Sequence, residues 1–114
     1  MVWYDDLFVG ESISPRRKKR IIRKVKRRSV FNAAYLLTLS SNPDNLIDII
    51  STAVIRQRYY PKRGLLVIGL AGNYEEAVML AGEIVSSVYE ARGDFRLREF
   101  FKMNRCNVGG DGLL

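Results

Sequence analysis

Two almost uninterrupted apolar runs constrain the fold of this chain more than any other feature. They cover residues 33–39 and 65–71, and neither shows the apolar and polar alternation of a strand with one face in water. Such runs are typical of strands covered on both faces, as in a parallel sheet with helices above and below it. The sequence therefore predicts an α/β fold built on a mostly parallel sheet.

The first half of the chain adds one strand and two helices to this scheme. A strand over residues 7–9 precedes a helix that starts at Ser14-Pro15, where a capping residue stands before a proline at the first helical position. A second helix is predicted to start at Asn42-Pro43, since an apolar face with helical spacing follows through residue 54.

The second half adds one more helix and one more strand. The helix is predicted from its capping residue Asn73 to Gly93, and alternating apolar and charged residues over 95–101 indicate an edge strand. The predicted order is β-α-β-α-β-α-β, a four-stranded, mostly parallel sheet with three helices. At 114 residues the chain fits a single domain, which we assign to residues 1–103, and turn composition predicts a disordered tail over 104–114.

The predicted first helix carries most of the positive charge. Ten of its thirteen residues from 16 to 28 are basic and none is acidic, while the rest of the chain has 9 basic and 12 acidic residues. A compact cationic patch of this kind attracts anionic polymers or surfaces. The candidate binding residues in it are Arg16, Arg17, Lys18, Lys19, Arg20, Arg23, Lys24, Lys26, Arg27 and Arg28.

This helix is electrostatically strained by its own sequence. Five like-charge pairs stand four residues apart, among them Arg16/Arg20 and Lys24/Arg28, and together they cost roughly 1 to 2.5 kcal/mol at low salt. Either an external polyanion or acidic residues on neighbouring elements can relieve this repulsion. The sequence leaves both explanations open.

A second basic cluster mixes cations with aromatic rings. Its candidate binding residues are Arg56, Arg58, Tyr59, Tyr60, Lys62 and Arg63. Rings beside arginines can stack and neutralise single-stranded nucleic acid, although cations and tyrosines also end helices for structural reasons. In a parallel sheet both basic clusters would meet at the edge where the strands begin and form one surface.

Several chemistries are disfavoured. The chain has no histidine and a single cysteine, Cys106, so the common nucleophile and metal-ligand sets are missing. Asp5 and Asp6 point to opposite faces of a strand, and we predict no metal site and no cofactor.

The segment 69–76, a glycine-containing turn with two glutamates, fits a structural turn better than a phosphate loop. With no signal sequence or membrane span in the pattern, a cytoplasmic protein is expected.

Two segments carry a resemblance to known sequences. Residues 35–50 (YLLTLSSNPDNLIDII) and 67–77 (VIGLAGNYEEA) resemble a small group of uncharacterised bacterial proteins. In that group a basic helix precedes an apolar strand, an Asn-Pro helix start and a Gly-x-Ala turn. The resemblance spans roughly residues 4–101 and implies a bacterial cytosolic protein. It implies no activity, so no functional residue is transferred.

The sequence thus favours a binding module over an enzyme. In the leading hypothesis the basic helix contacts the phosphates of nucleic acid, RNA before DNA. The alternative is an interaction or regulatory domain whose basic helix docks on an acidic protein, with self-association through the apolar sheet edges left open. A small enzyme or ligand sensor built on residues 69–76 is the third hypothesis.

Overall fold

The structure, a computed structural model, describes residues 2–27, 34–39, 46–55, 66–103 and 106–107. These residues form one open sheet with helices on both faces. The elements in chain order are β1 (Val2–Val9), α1 (Pro15–Arg27), β2 (Tyr35–Leu39), β3 (Ile47–Ser51), α2 (Thr52–Ile55), β4 (Leu66–Ala71), α3 (Tyr74–Arg92), α4 (Leu97–Met103) and β5 (Cys106–Asn107).

The sheet is mixed rather than mostly parallel. Its described strands lie in the order β3-β2-β4-β1-β5, and the parallel pair among them is β1 with β4. β2 runs antiparallel to both β4 and β3, and the two-residue β5 runs antiparallel to β1. The α/β class is confirmed, but the prediction of a four-stranded, mostly parallel sheet with three helices is wrong.

The largest difference lies in the segment predicted as the second helix, which contains β3. Ile49 pairs opposite Leu37 and Ile50 opposite Leu36, with Ile49 in the apolar layer on the α3 side and Ile50 in the layer on the α1 side. The isoleucine spacing that suggested a helical face therefore also suits a strand covered on both sides. β-branched residues favour that choice.

Each face of the sheet has its own apolar layer. On one face α1 buries Ile21 and Val25 against a cluster that includes Trp3, with Ile22 half-buried beside them. On the other face α3 and α4 cover the sheet, and the buried residues of α3 are Ala77, Leu80, Ile84 and Val88. Ile21, Ile22 and Val25 form the narrow apolar stripe by which α1 docks on the sheet.

Both ends of α3 follow the predicted signals. The Asn73 side chain accepts a hydrogen bond from the Glu76 N–H at 2.8 Å, which satisfies one free donor of the first turn. At the other end Gly93 adopts a left-handed conformation with φ of 80°, and its N–H donates to the Tyr89 carbonyl at 2.7 Å. A left-handed residue at this position strongly favours glycine.

The predicted edge strand over 95–101 is also wrong, since α4 occupies most of that range. Leu97 and Phe101 stand four residues apart and are both buried, which a helix achieves by placing them on one face. The Phe101 ring meets the Tyr4 ring edge-on at 4.6 Å between centroids. Within the predicted tail, Cys106 and Asn107 pair with β1 as β5, and residues 104–105 and 108–114 lie outside the described residues.

Candidate functional site

The basic helix α1 begins where the sequence predicts. The Ser14 hydroxyl accepts a hydrogen bond from the Arg17 N–H at 3.2 Å, and its carbonyl accepts from the Lys18 N–H at 2.8 Å. Pro15 is the first helical residue, where its missing N–H costs nothing. The cap and the proline together hold the start of the cationic helix in place.

Nine of the ten cations predicted in this helix lie within α1, and their side chains face outward. Arg17, Lys18 and Lys24 are half-buried, and the exposed ones are Arg16, Lys19, Arg20, Arg23, Lys26 and Arg27. We call these nine residues the α1 cationic surface. The tenth cation, Arg28, lies outside the described residues.

Most of the α1 cationic surface forms no ion pair with the described part of the chain. The ion pair found among the described residues joins Arg92 and Asp94 at 3.0 Å, on the segment between α3 and α4. With Lys24 set aside because it makes a further contact, no described carboxylate lies within 4.0 Å of a charged nitrogen of this surface. At these eight cations, ion pairs with described acidic neighbours therefore do not relieve the repulsion along α1, although the charge of Arg17 also acts on Glu76.

The described residues do not test the edge that the sequence suggested the two basic clusters share, because the second cluster lies outside them. Ser51 at the end of β3 and Ala71 at the end of β4 both pair with Tyr35, so α2 starts at the edge where β4 ends. Lys26 instead lies beside Trp3, near the start of β1. The mostly parallel sheet on which that expectation rested is wrong, and a surface shared by the two clusters stays a prediction.

The members of that second cluster lie outside the described residues. They are Arg56, Arg58, Tyr59, Tyr60, Lys62 and Arg63.

A cleft of about 180 Å³ lies between α1 and β1, and we call it the α1–β1 cleft. Lys18, Ile22 and Lys26 form its helical wall, while residues of β1 form the other wall. Those strand residues include Trp3, Asp5 and Leu7. The sequence did not predict this cleft, because nothing local shows which side of a cationic helix will lie beside a strand.

Glu76 ties the loop after β1 to the loop after β4. Its Oε1 accepts hydrogen bonds from the Gly72 N–H at 2.6 Å and the Ser12 hydroxyl at 2.7 Å, and its Oε2 accepts from the Ser12 N–H at 3.0 Å. Burial raises the pKa of the Glu76 carboxyl, but these hydrogen bonds and the charge of Arg17 outweigh it and lower the pKa below the ordinary 4.5. A Cβ on Gly10 would overlap the same carboxyl group.

A larger cleft of about 370 Å³ opens beside this junction, and we call it the acidic cleft. Its lining includes Glu11, Glu75, Glu76 and Glu83 around the exposed side chain of Met79. Four carboxylates disfavour a phosphate here, and the Gly72 N–H already donates to Glu76. Among the described residues no group of three or more acidic or cysteine side chains is placed to hold a metal ion.

The described helices include none long and apolar enough to cross a bilayer. The resemblance to a group of bacterial proteins stays a prediction. Compared with known proteins, the chain matches no family model, no curated protein and no solved structure.

Proposed function

We propose that this protein is a non-enzymatic module that binds nucleic acid, RNA before DNA, through the α1 cationic surface. The observation that supports this proposal is that, with Lys24 left out of account, no described carboxylate forms an ion pair with the other eight cations of that surface. A row of solvent-facing cations gains free energy from phosphates because binding releases the counterions condensed on the polymer. It also relieves the like-charge repulsion along α1.

The position of α1 supports the same proposal. Most of its apolar stripe is used in docking on the sheet, since Ile21 and Val25 are buried and Ile22 is half-buried. The remaining circumference offers cations and no exposed large apolar side chain. A membrane-binding helix needs such an apolar face to insert, whereas contacts to a phosphate backbone need only charge.

Salt dependence is the first test. If α1 neutralises about five phosphates, the slope of log K against log salt is near −4, since each contact contributes about 0.7 to 0.9. Fluorescence anisotropy with a labelled RNA at several salt concentrations measures this slope. Failure to bind RNA or DNA at low salt would refute the proposal.

A pair of double variants then tests whether α1, rather than net charge, carries the binding. Arg20→Gln with Arg23→Gln removes two charges from exposed positions of α1, and Gly82→Glu with Ser86→Glu lowers the net charge equally on the exposed side of α3. At 0.1 M salt we expect the first to weaken RNA binding by roughly 25- to 60-fold. The second should have a much smaller effect, and an equal loss in both would contradict a role for α1.

The alternative of an acidic protein partner has a distinct outcome. Complexes that form in a lysate and survive nuclease treatment, measured by size-exclusion chromatography with light scattering, would favour a protein partner over nucleic acid.

A further inference from the structure

The α1–β1 cleft combines cationic, apolar and anionic groups, a combination that the rest of the α1 cationic surface does not offer. Lys18, Ile22 and Lys26 are spaced four residues apart and so lie in one line along the helix. Across from them stand Trp3 and Asp5 on β1. The cleft thus has an apolar middle, one carboxylate and a lysine near each end.

The two lysines bracket the cleft rather than meet at one point. Eight residues separate them, which corresponds to a rise of about 12 Å along the helix axis. No described carboxylate lies within 4.0 Å of either ammonium group, Asp5 included. Both cations are therefore available to phosphates on either side of a group held between them.

The size of the cleft limits what it can hold. At about 180 Å³ it is smaller than the roughly 300 Å³ at which clefts begin to enclose a whole drug-sized ligand. It suits one flat group of a longer chain. Trp3 is only 5% exposed, so the surface against which that group packs comes mainly from Ile22 and the methylene groups of the lysines.

The carboxylate of Asp5 makes the cleft selective among the chemical groups of a polyanion. Its carboxylate is exposed and repels a phosphate or an acidic side chain, but it accepts hydrogen bonds from an exocyclic amino group such as that of cytosine. A nucleobase satisfies the apolar middle and the carboxylate together. The flanking phosphates then reach the two lysines.

We propose that the α1–β1 cleft takes up one unstacked nucleobase of a single-stranded nucleic acid, with Lys18 and Lys26 contacting the phosphates on its two sides. This inference rests on the proposed function and adds a strand preference to it. A base inside a duplex must first be unpaired and unstacked, which costs a few kcal/mol. The protein should therefore bind a single strand at least about tenfold more tightly than a duplex of the same sequence, because the base contact is lost in the duplex.

The chain carries its own probe for this cleft, because Trp3 is its single tryptophan. We expect its fluorescence to change as a short single-stranded RNA is added and to saturate at the concentration that saturates anisotropy. The matching duplex should bind through α1 without that change in emission.

Two double variants with the same loss of charge separate the cleft from the rest of the helix. Lys18→Ala with Lys26→Ala removes the cations of the cleft, and Lys19→Ala with Arg27→Ala removes two exposed cations that do not line it and that have the same spacing. Both should lower the salt slope by about 1.4 for a single strand. Only the first should abolish the Trp3 signal and the preference for a single strand.

The outcomes distinguish the two proposals. If the wild type binds RNA with the expected salt slope, but binds strand and duplex equally and leaves Trp3 emission unchanged, the cleft assignment is overturned and the proposed function stands. Equal loss of the Trp3 signal in both double variants also overturns it. If neither strand nor duplex binds at low salt, the proposed function falls and the cleft assignment falls with it. Urea unfolding of each variant confirms that it is folded.

Discussion

Replacing Glu76 with glutamine tests whether one carboxylate holds the loops after β1 and β4 together. That carboxylate accepts three hydrogen bonds, from the Gly72 N–H, the Ser12 hydroxyl and the Ser12 N–H. Glutamine offers one carbonyl oxygen and one NH₂ group, so one N–H of the loops would face another donor. At least one bond is lost, and the others weaken because the acceptor is no longer charged.

The expected loss follows from the strengths of these bonds. A hydrogen bond to a charged group contributes roughly 1.5 to 3 kcal/mol and a neutral one about 0.5 to 1.5 kcal/mol. One lost bond and two weakened ones therefore cost about 4 kcal/mol at a fully buried site. Ser12 is exposed and Glu76 is only half-buried, so water replaces part of each interaction. We expect the free energy of unfolding to fall by about 2 kcal/mol.

Glu75→Gln is the matched control. Glu75 precedes Glu76 in the first turn of α3 and is exposed, so both substitutions remove one favourable charge from the helix dipole, an effect of about 0.3 to 1 kcal/mol. Urea unfolding followed by circular dichroism measures both variants. Losses that agree within about 0.5 kcal/mol would refute the idea that the three hydrogen bonds stabilise the fold.

The same carboxylate predicts a pH dependence. Because the pKa of Glu76 is lower in the folded state than its ordinary 4.5, the unfolded chain binds the proton more readily. The stabilisation is complete above pH 4.5 and is lost as the pH falls through the folded-state pKa. The stability gap between wild type and Glu76→Gln should be constant between about pH 7 and pH 6 and shrink below pH 4.5. A gap that widens in acid would contradict this sign.

Two further pairs of substitutions use the same unfolding assay. Gly10→Ala should lower the free energy of unfolding by about 1 to 3 kcal/mol because the added Cβ overlaps the Glu76 carboxyl. Gly82 has open space around it, so Gly82→Ala should stabilise α3 by about 0.5 to 1 kcal/mol. A destabilising Gly82→Ala would contradict the expectation that the added methyl group meets no neighbour. Thr38→Val should be neutral or stabilising because its buried hydroxyl has no hydrogen-bond partner among the described residues. Thr52→Val should lower the free energy of unfolding by about 1 to 3 kcal/mol, because the Thr52 hydroxyl accepts a hydrogen bond from the buried Ala34 N–H at 3.1 Å. Equal effects at the two threonines would contradict this reasoning.

Local signals predicted the elements that local physics controls. Ser14 and Asn73 begin helices because a side-chain oxygen satisfies a free N–H within a few residues, and Gly93 ends one because a left-handed residue favours glycine. The two apolar runs became β2 and β4 because a segment that is apolar on both sides needs cover on both sides. The cationic surface of α1 could also be predicted, because charge follows directly from residue type and charged side chains seldom become fully buried.

Where the apolar spacing of a segment suits both a helix and a strand, contacts with distant parts of the chain select one of them. The isoleucines of β3 satisfy both a helical face and a strand covered on two sides, and pairing with β2 selected the strand. In α4, Leu97 and Phe101 fit either an alternating strand or a helical face, and packing of Phe101 against Tyr4 accompanies the helix. Strand direction depends on the same distant contacts, so local patterns do not reveal it.

Local sequence patterns are enough to predict a capped cationic helix and a sheet whose central strands are apolar throughout. Packing of the whole chain settles which strands run antiparallel, which side of α1 faces Trp3 to form a cleft, and that Glu76 reaches Ser12, 64 residues away in the chain. The physical reason is the range of the forces: caps, propensities and charge act within a few residues, whereas cleft walls and loop junctions need contacts that exist only after the chain has packed.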